Sequence, residues 1–163
     1  MEFGIPPLPS WPGSHPLIIH LPLGLLPVAP VLILLGLVFQ KCGRAYWWSA
    51  FTMMAIGTVG AWLAVASGGG AWGLAIKSGG VGKVLEHHEA LAFLTRIVFT
   101  ALTFLYLVVL LGPAASKKEL SRRANWGIQV PFLLLYAAGL IVLAQAGHEG
   151  ARAVHEFGAL AVL

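Results

Sequence analysis

The sequence predicts an all-α integral membrane protein, a bundle of four transmembrane helices. Three observations carry that expectation. Of the 163 residues, 58% are hydrophobic and only 10% are charged, against about 25% charged in a soluble domain. The apolar residues gather in four runs, at 17–39, 47–66, about 90–111 and 126–146. Each run is close to the roughly 20 residues a helix needs to cross about 30 Å of hydrocarbon. The expected organisation is one domain over 1–163, with helices at about 17–39, 47–66, 86–111 and 126–148 and a short C-terminal segment, 149–163.

The elements follow in order. Residues 1–14 are short and Pro-rich, which favours extended or turn-like chain over helix, and they lack the basic start of a cleaved signal peptide. The first helix carries Pro22, Pro27 and Pro30. Pro22 fits a first turn, whereas Pro27 and Pro30 should bend the helix. The second has neither histidine nor charge but many small residues, among them Gly57, Gly60, Ala61 and Ala64, which let helices approach closely. The Gly-rich connection at 67–84 is expected to be a loop. It is not a phosphate-binding loop, because Lys77 and Val84 stand where that motif needs Gly and Ser or Thr. No convincing internal repeat is evident. Trp11, Trp47, Trp48, Trp72 and Trp126 fall near the ends of the runs, as an aromatic belt would.

Charge sets the orientation. The first connection carries Lys41 and Arg44, and the third carries Lys117, Lys118, Arg122 and Arg123. The second has only Lys77 and Lys83. The positive-inside rule then puts connections one and three in the cytoplasm and both termini outside, in a bacterial inner membrane with its outer face in the periplasm. The net charge of +4 is a topological signal, and nucleic acid is excluded as a partner. The single cysteine, Cys42, permits no internal disulfide, and no C-x-x-C-H motif is present for covalent haem attachment.

The six histidines all fall at one face on this topology: His15 and His20 at the start of helix one, His87 and His88 at the start of helix three, His148 and His155 at the end of helix four. Imidazole is a metal ligand and a haem axial ligand, and facing helices can bring such ligands together in a bundle. The expected ligands are His20, His88, His148 and His155, with His15 in reserve. They would hold one or two b-type haems. Four of the six acidic residues, Glu86, Glu89, Glu149 and Glu156, lie beside a histidine. They could orient imidazoles, or form ordinary helix-surface pairs with Arg152. Arg96 lies about two turns into helix three, where a charge needs a partner or must snorkel; a haem propionate would suit it.

The segment His15-Pro16-Leu17-Ile18-Ile19-His20-Leu21-Pro22-Leu23 resembles the opening motif H-P-x-x-V-H-F-P-I of the domain-of-unknown-function 2231 family of small bacterial membrane proteins. The closing residues, Gly147 to Gly150 and Val154 to Ala159, resemble that family's end, roughly H-G-G-x-x-V-x-x-H-G-V. Glu149 here replaces a Gly, and His155 sits two residues early relative to its following Gly. The resemblance implies four membrane helices. Similar modules accompany c-type cytochrome domains in some bacterial chains, which implies a redox setting.

The expected function is a membrane-embedded haem b electron-transfer subunit or anchor of a larger redox complex, with a c-type cytochrome as a natural neighbour and no catalytic residues of its own. One alternative is a zinc- or copper-binding or transport protein, for which Arg96, Thr100, Thr103, Gln129 and Gln145 are the only polar groups that could continue a path. Another is a purely structural membrane subunit.

Overall fold

The structure, a computed structural model, describes residues 8–73, 80–116 and 120–159, with side chains of the second block described to 112. Lys77, Lys117 and Lys118 lie outside the described residues. Helices α1 (His15–Ile18), α2 (His20–Leu25) and α3 (Val28–Val38), preceded by a 3-10 turn at Pro12–Ser14, make up the first span. Helices α4 (Gly43–Trp72), α5 (Val81–Ser116) and α6 (Arg122–His155) are the second, third and fourth. All four spans are long and apolar enough to cross a membrane. At most 33% of any apolar window is buried within the bundle, so the greater part of each helix is left for lipid. Leu134, Phe104 and Val38 are all more than 60% exposed on that surface.

The spans run up and down in sequence. The second packs on the first and third, the third on the fourth, and the fourth closes lightly on the first. The helices are longer than hydropathy alone predicts. The second continues through Gly68, Gly69 and Gly70 to Trp72, so much of the expected loop is helix. The fourth passes Gly147 and Gly150 without a break and ends at His155. Its start is fixed by Ser121, whose hydroxyl accepts from the Ala124 N–H at 3.3 Å.

The first span is interrupted at Ile19 and at Leu26–Pro27, the latter where Pro27 is expected to bend it, while Pro30 lies inside α3. A Pro removes the amide that would bond the carbonyl four residues back, and in a bilayer that carbonyl has no water to turn to. Pro30 leaves the Leu26 carbonyl in this position. It accepts instead from the Ala29 N–H at 3.3 Å and from the buried Tyr136 hydroxyl, reaching across from the fourth span, at 2.9 Å. Tyr136→Phe should therefore lower stability by about 0.6–1.7 kcal/mol, the range found for such bonds in membrane bundles. The check is the thermal unfolding midpoint in detergent, which should fall without loss of helicity.

Burial reveals a repeat that residue identity hides. Pro22, Leu26, Ala29 and Ile33 of the first span recur in the third as Thr95, Phe99, Leu102 and Tyr106, all buried and offset by 73 positions (95 − 22). Ala50, Met54, Gly57, Ala61 and Ala64 of the second recur in the fourth as Phe132, Tyr136, Gly139, Leu143 and Ala146, offset by 82 (132 − 50). Contacts repeat with the positions. A Cβ on Gly57 would meet Leu25 and Leu26, and one on Gly139 would meet their counterparts Val98 and Phe99. The Leu26 carbonyl takes a hydroxyl from Tyr136, and its counterpart on Phe99 takes one from Thr58 at 3.4 Å. The two hairpins thus share one pattern of burial and close approach.

Candidate functional site

The histidines cluster at the end of the bundle where the first and third spans begin. Two of them turn inward, and the repeat relates those two: His15 and His88 share the offset of 73 (88 − 15). Each stands seven residues before a buried position of its span, Pro22 and Thr95, so each falls on the core-facing side of its helix. Both are half-buried.

Each imidazole is anchored in the same way. His15 Nδ1 lies 3.0 Å from the Ala64 carbonyl oxygen of the second span and 3.1 Å from the buried Ser67 hydroxyl. His88 Nδ1 lies 2.8 Å from the carbonyl oxygen of Ala146, the repeat counterpart of Ala64, on the fourth span. A carbonyl only accepts, so Nδ1 carries the proton in both rings and donates it. The lone pair is then on Nε2, and neither Nε2 has a hydrogen bond to a described residue. Glycine makes room for both rings. A Cβ on Gly68 would lie 3.0 Å from His15 Cε1, and one on its counterpart Gly150 would lie 2.9 Å from His88 Cε1. The two imidazoles lie within electrostatic range of each other.

The other candidate ligands are placed differently. His20 is exposed, and its Nδ1 is 2.6 Å from the Pro16 carbonyl oxygen of its own span. His148 and His155 are exposed on the fourth span, and His87 is exposed on the third. The structure thus turns His15 and His88 inward, each onto a carbonyl of a neighbouring span, and leaves His20, His148 and His155 on the surface. Among the described residues no three His, Cys, Asp or Glu side chains are grouped to hold a single metal ion.

Two of the four carboxylates, Glu149 and Glu156, pair with Arg152. Arg152 bonds Glu149 at 3.1 Å and Glu156 at 3.1 Å, and Glu149 also lies 3.7 Å from His87 Nδ1. Arg96 stacks on two aromatic rings, with its guanidinium carbon 4.3 Å from the Trp62 centroid and 4.6 Å from the Phe93 centroid. Its Nε is buried without a hydrogen-bond partner among the described residues.

Sequence reasoning passed over the anchors: Ala64, Ser67 and Gly68 on one side, Ala146 and Gly150 on the other. A signal did exist. His15 is in phase with Pro22, Ala29 and Gly36, and His88 with Thr95 and Leu102, at steps of seven.

No curated protein and no solved structure matches the chain. Residues 13–162 match the family described as predicted membrane protein (DUF2231). The match spans both inward histidines and all four helices, and the chain belongs to that family.

Proposed function

We propose that the chain binds one b-type haem at the histidine end of the bundle, with His15 and His88 as its axial ligands, and serves as an electron-transfer subunit of a larger membrane redox complex. One observation carries this reading: two imidazoles, related by the internal repeat, each give Nδ1–H to a backbone carbonyl and keep Nε2 free. That is the state a metal-ligating histidine requires, with the tautomer fixed and the ring made more basic by its outer bond. The donor set fits haem iron better than zinc, which takes four ligands where this core offers two. Gly68 and Gly150 hold the rings against the second and fourth spans, and a side chain at either position would press on them.

Haem supplies a one-electron iron couple when bound. If both imidazoles ligated it, haem would supply electron relay at this end of the bundle rather than an open site for a substrate. Lys41, Arg44, Arg122 and Arg123 mark the opposite end of the bundle, and by the positive-inside rule the histidine end faces the periplasm of a bacterial inner membrane. A c-type cytochrome is the fitting partner on that side.

The test is a reduced-minus-oxidised visible spectrum of the purified protein with a pyridine haemochrome assay. The expected result is a low-spin b-type spectrum and one haem per chain. Two haems per chain would bring His20, His148 and His155 back as ligands. A colourless protein, expressed with ample haem, would overturn the reading, and copper at one equivalent would replace it with a two-histidine copper site.

A further inference from the structure

The repeat isolates one residue that the scaffold does not need. Arg96 of the third span has Leu23 as its counterpart in the first, and Trp62 of the second has Ala144 in the fourth (144 − 62 = 82). The first hairpin therefore has no cation at this position. Only the seam between the second and third spans carries Arg96, Trp62 and the threonines Thr58, Thr100 and Thr103. The counterparts of these threonines are Leu140, Pro27 and Pro30.

Below Arg96 that seam opens into a crevice of about 270 Å³, with an almost wholly apolar lining that includes Ala55, Val59, Thr103 and Leu107. Arg96, Thr100, Thr103 and Leu107 follow one another at steps of four, three and four, so they form one face of the third span. Arg96 stands one turn before the lining residue Thr100, on the side of the crevice nearer the histidines. Trp62 bonds the same lining residue, donating from its indole N–H to the Thr100 hydroxyl at 3.0 Å.

The depth suits a headgroup. Arg96 lies six residues inside Ala90, where the apolar run begins, or about 9 Å. Its guanidinium rides over Phe93, one turn nearer that end. This leaves about 5 Å to the interface by the same rise per residue. Two aromatic rings support the cation. Among the described residues no carboxylate pairs with it, and its Nε lacks a partner. The charge is positive, the end is interfacial, and the space below is long and apolar.

We propose that this crevice is a binding site for an anionic phospholipid, with the phosphate on Arg96 and an acyl chain along the seam between the second and third spans. The proposal does not depend on haem. Charge selects the occupant: a neutral amphiphile would fill the crevice but leave the guanidinium unpaired in a poorly hydrated setting.

Native mass spectrometry of the full chain, titrated in detergent with phosphatidylglycerol or phosphatidylethanolamine, tests it. The wild type should prefer phosphatidylglycerol. Arg96→Leu, which installs the residue of the sister position, should lose about tenfold in phosphatidylglycerol affinity, as expected for a charge-assisted bond. Ala55→Phe keeps the cation and blocks the crevice, and it should weaken long-chain lipid with little effect on a short-chain analogue. Arg152→Gln is the control and should leave the preference unchanged. Equal binding of the two lipids by the wild type, or a preference that survives Arg96→Leu, would overturn the proposal. So would loss of bound haem in Arg96→Leu with lipid binding intact, since that would assign the arginine to a propionate.

Discussion

Replacing either His15 or His88 with alanine is expected to remove the low-spin b-type spectrum, while His20→Ala, His148→Ala and His155→Ala leave it in place. The asymmetry comes from anchoring. His15 and His88 are half-buried, on the core side of their helices, with Nδ1 held by the Ala64 and Ala146 carbonyls. On the proposed ligation, losing one ring removes one of the two iron ligands, and it leaves a carbonyl without its cross-helix donor. No other imidazole is placed to substitute, because the remaining four are exposed. Surface substitutions of that kind usually change stability by no more than about 0.5 kcal/mol. The measurement is haem content and the α band for the five single variants, normalised to folded protein by size-exclusion profile. Loss of the band in both His15→Ala and His88→Ala would follow from the carbonyl anchor the two histidines share. Retention of the band in either variant would disprove the pairing.

The fold class is legible in the sequence because the bilayer leaves so few options. A chain with four runs of about 20 apolar residues and almost no charge between their ends can satisfy its backbone in hydrocarbon only as helices. The ends of those helices are less legible. Gly68 to Gly70, Gly147 and Gly150 look like breakers, yet all lie within continuous helix. Two of them serve instead as places where a neighbour comes close: His15 against Gly68 and His88 against Gly150.

The layer of histidines is legible too, but the choice among them is not. Which side of a helix faces inward depends on its rotation, and in a membrane protein hydropathy barely reports it because both sides are apolar. In this chain Leu17 and Leu21 are exposed while Leu26 is fully buried. The repeat is masked for a related reason. Counterparts share burial but not size, as in Ala50 with Phe132, Met54 with Tyr136 and Ala29 with Leu102. Where a hairpin has only to fill its share of a common core, volume can be moved from one half to the other without disturbing the backbone.

Gly60→Val should be the most damaging substitution outside the site, because Gly60 is where the first and second spans come closest through rigid groups. A Cβ there would lie 2.6 Å from Leu21 Cβ, 3.0 Å from Pro22 Cδ and 3.4 Å from the Pro22 nitrogen. None of these can swing away as a long side chain could, so the two spans must part. Forced overpacking of this kind costs about 1–3 kcal/mol or more, and association of helices in lipid rests largely on such close packing. The damage would extend to the histidine end. Ala64, whose carbonyl anchors His15, is one turn further along the same helix, and Ser67 follows it. Gly127→Ala supplies the contrast: it lies inside the fourth span with nothing within 4 Å of the added methyl. There the ordinary helix preference for alanine should raise stability by about 0.8–1.0 kcal/mol. Unfolding midpoints in detergent should therefore move in opposite directions, with Gly60→Val well below the wild type and Gly127→Ala above it. If Gly60→Val unfolded at the wild-type midpoint with its haem spectrum intact, the close approach of the first and second spans would not be what holds His15 in register.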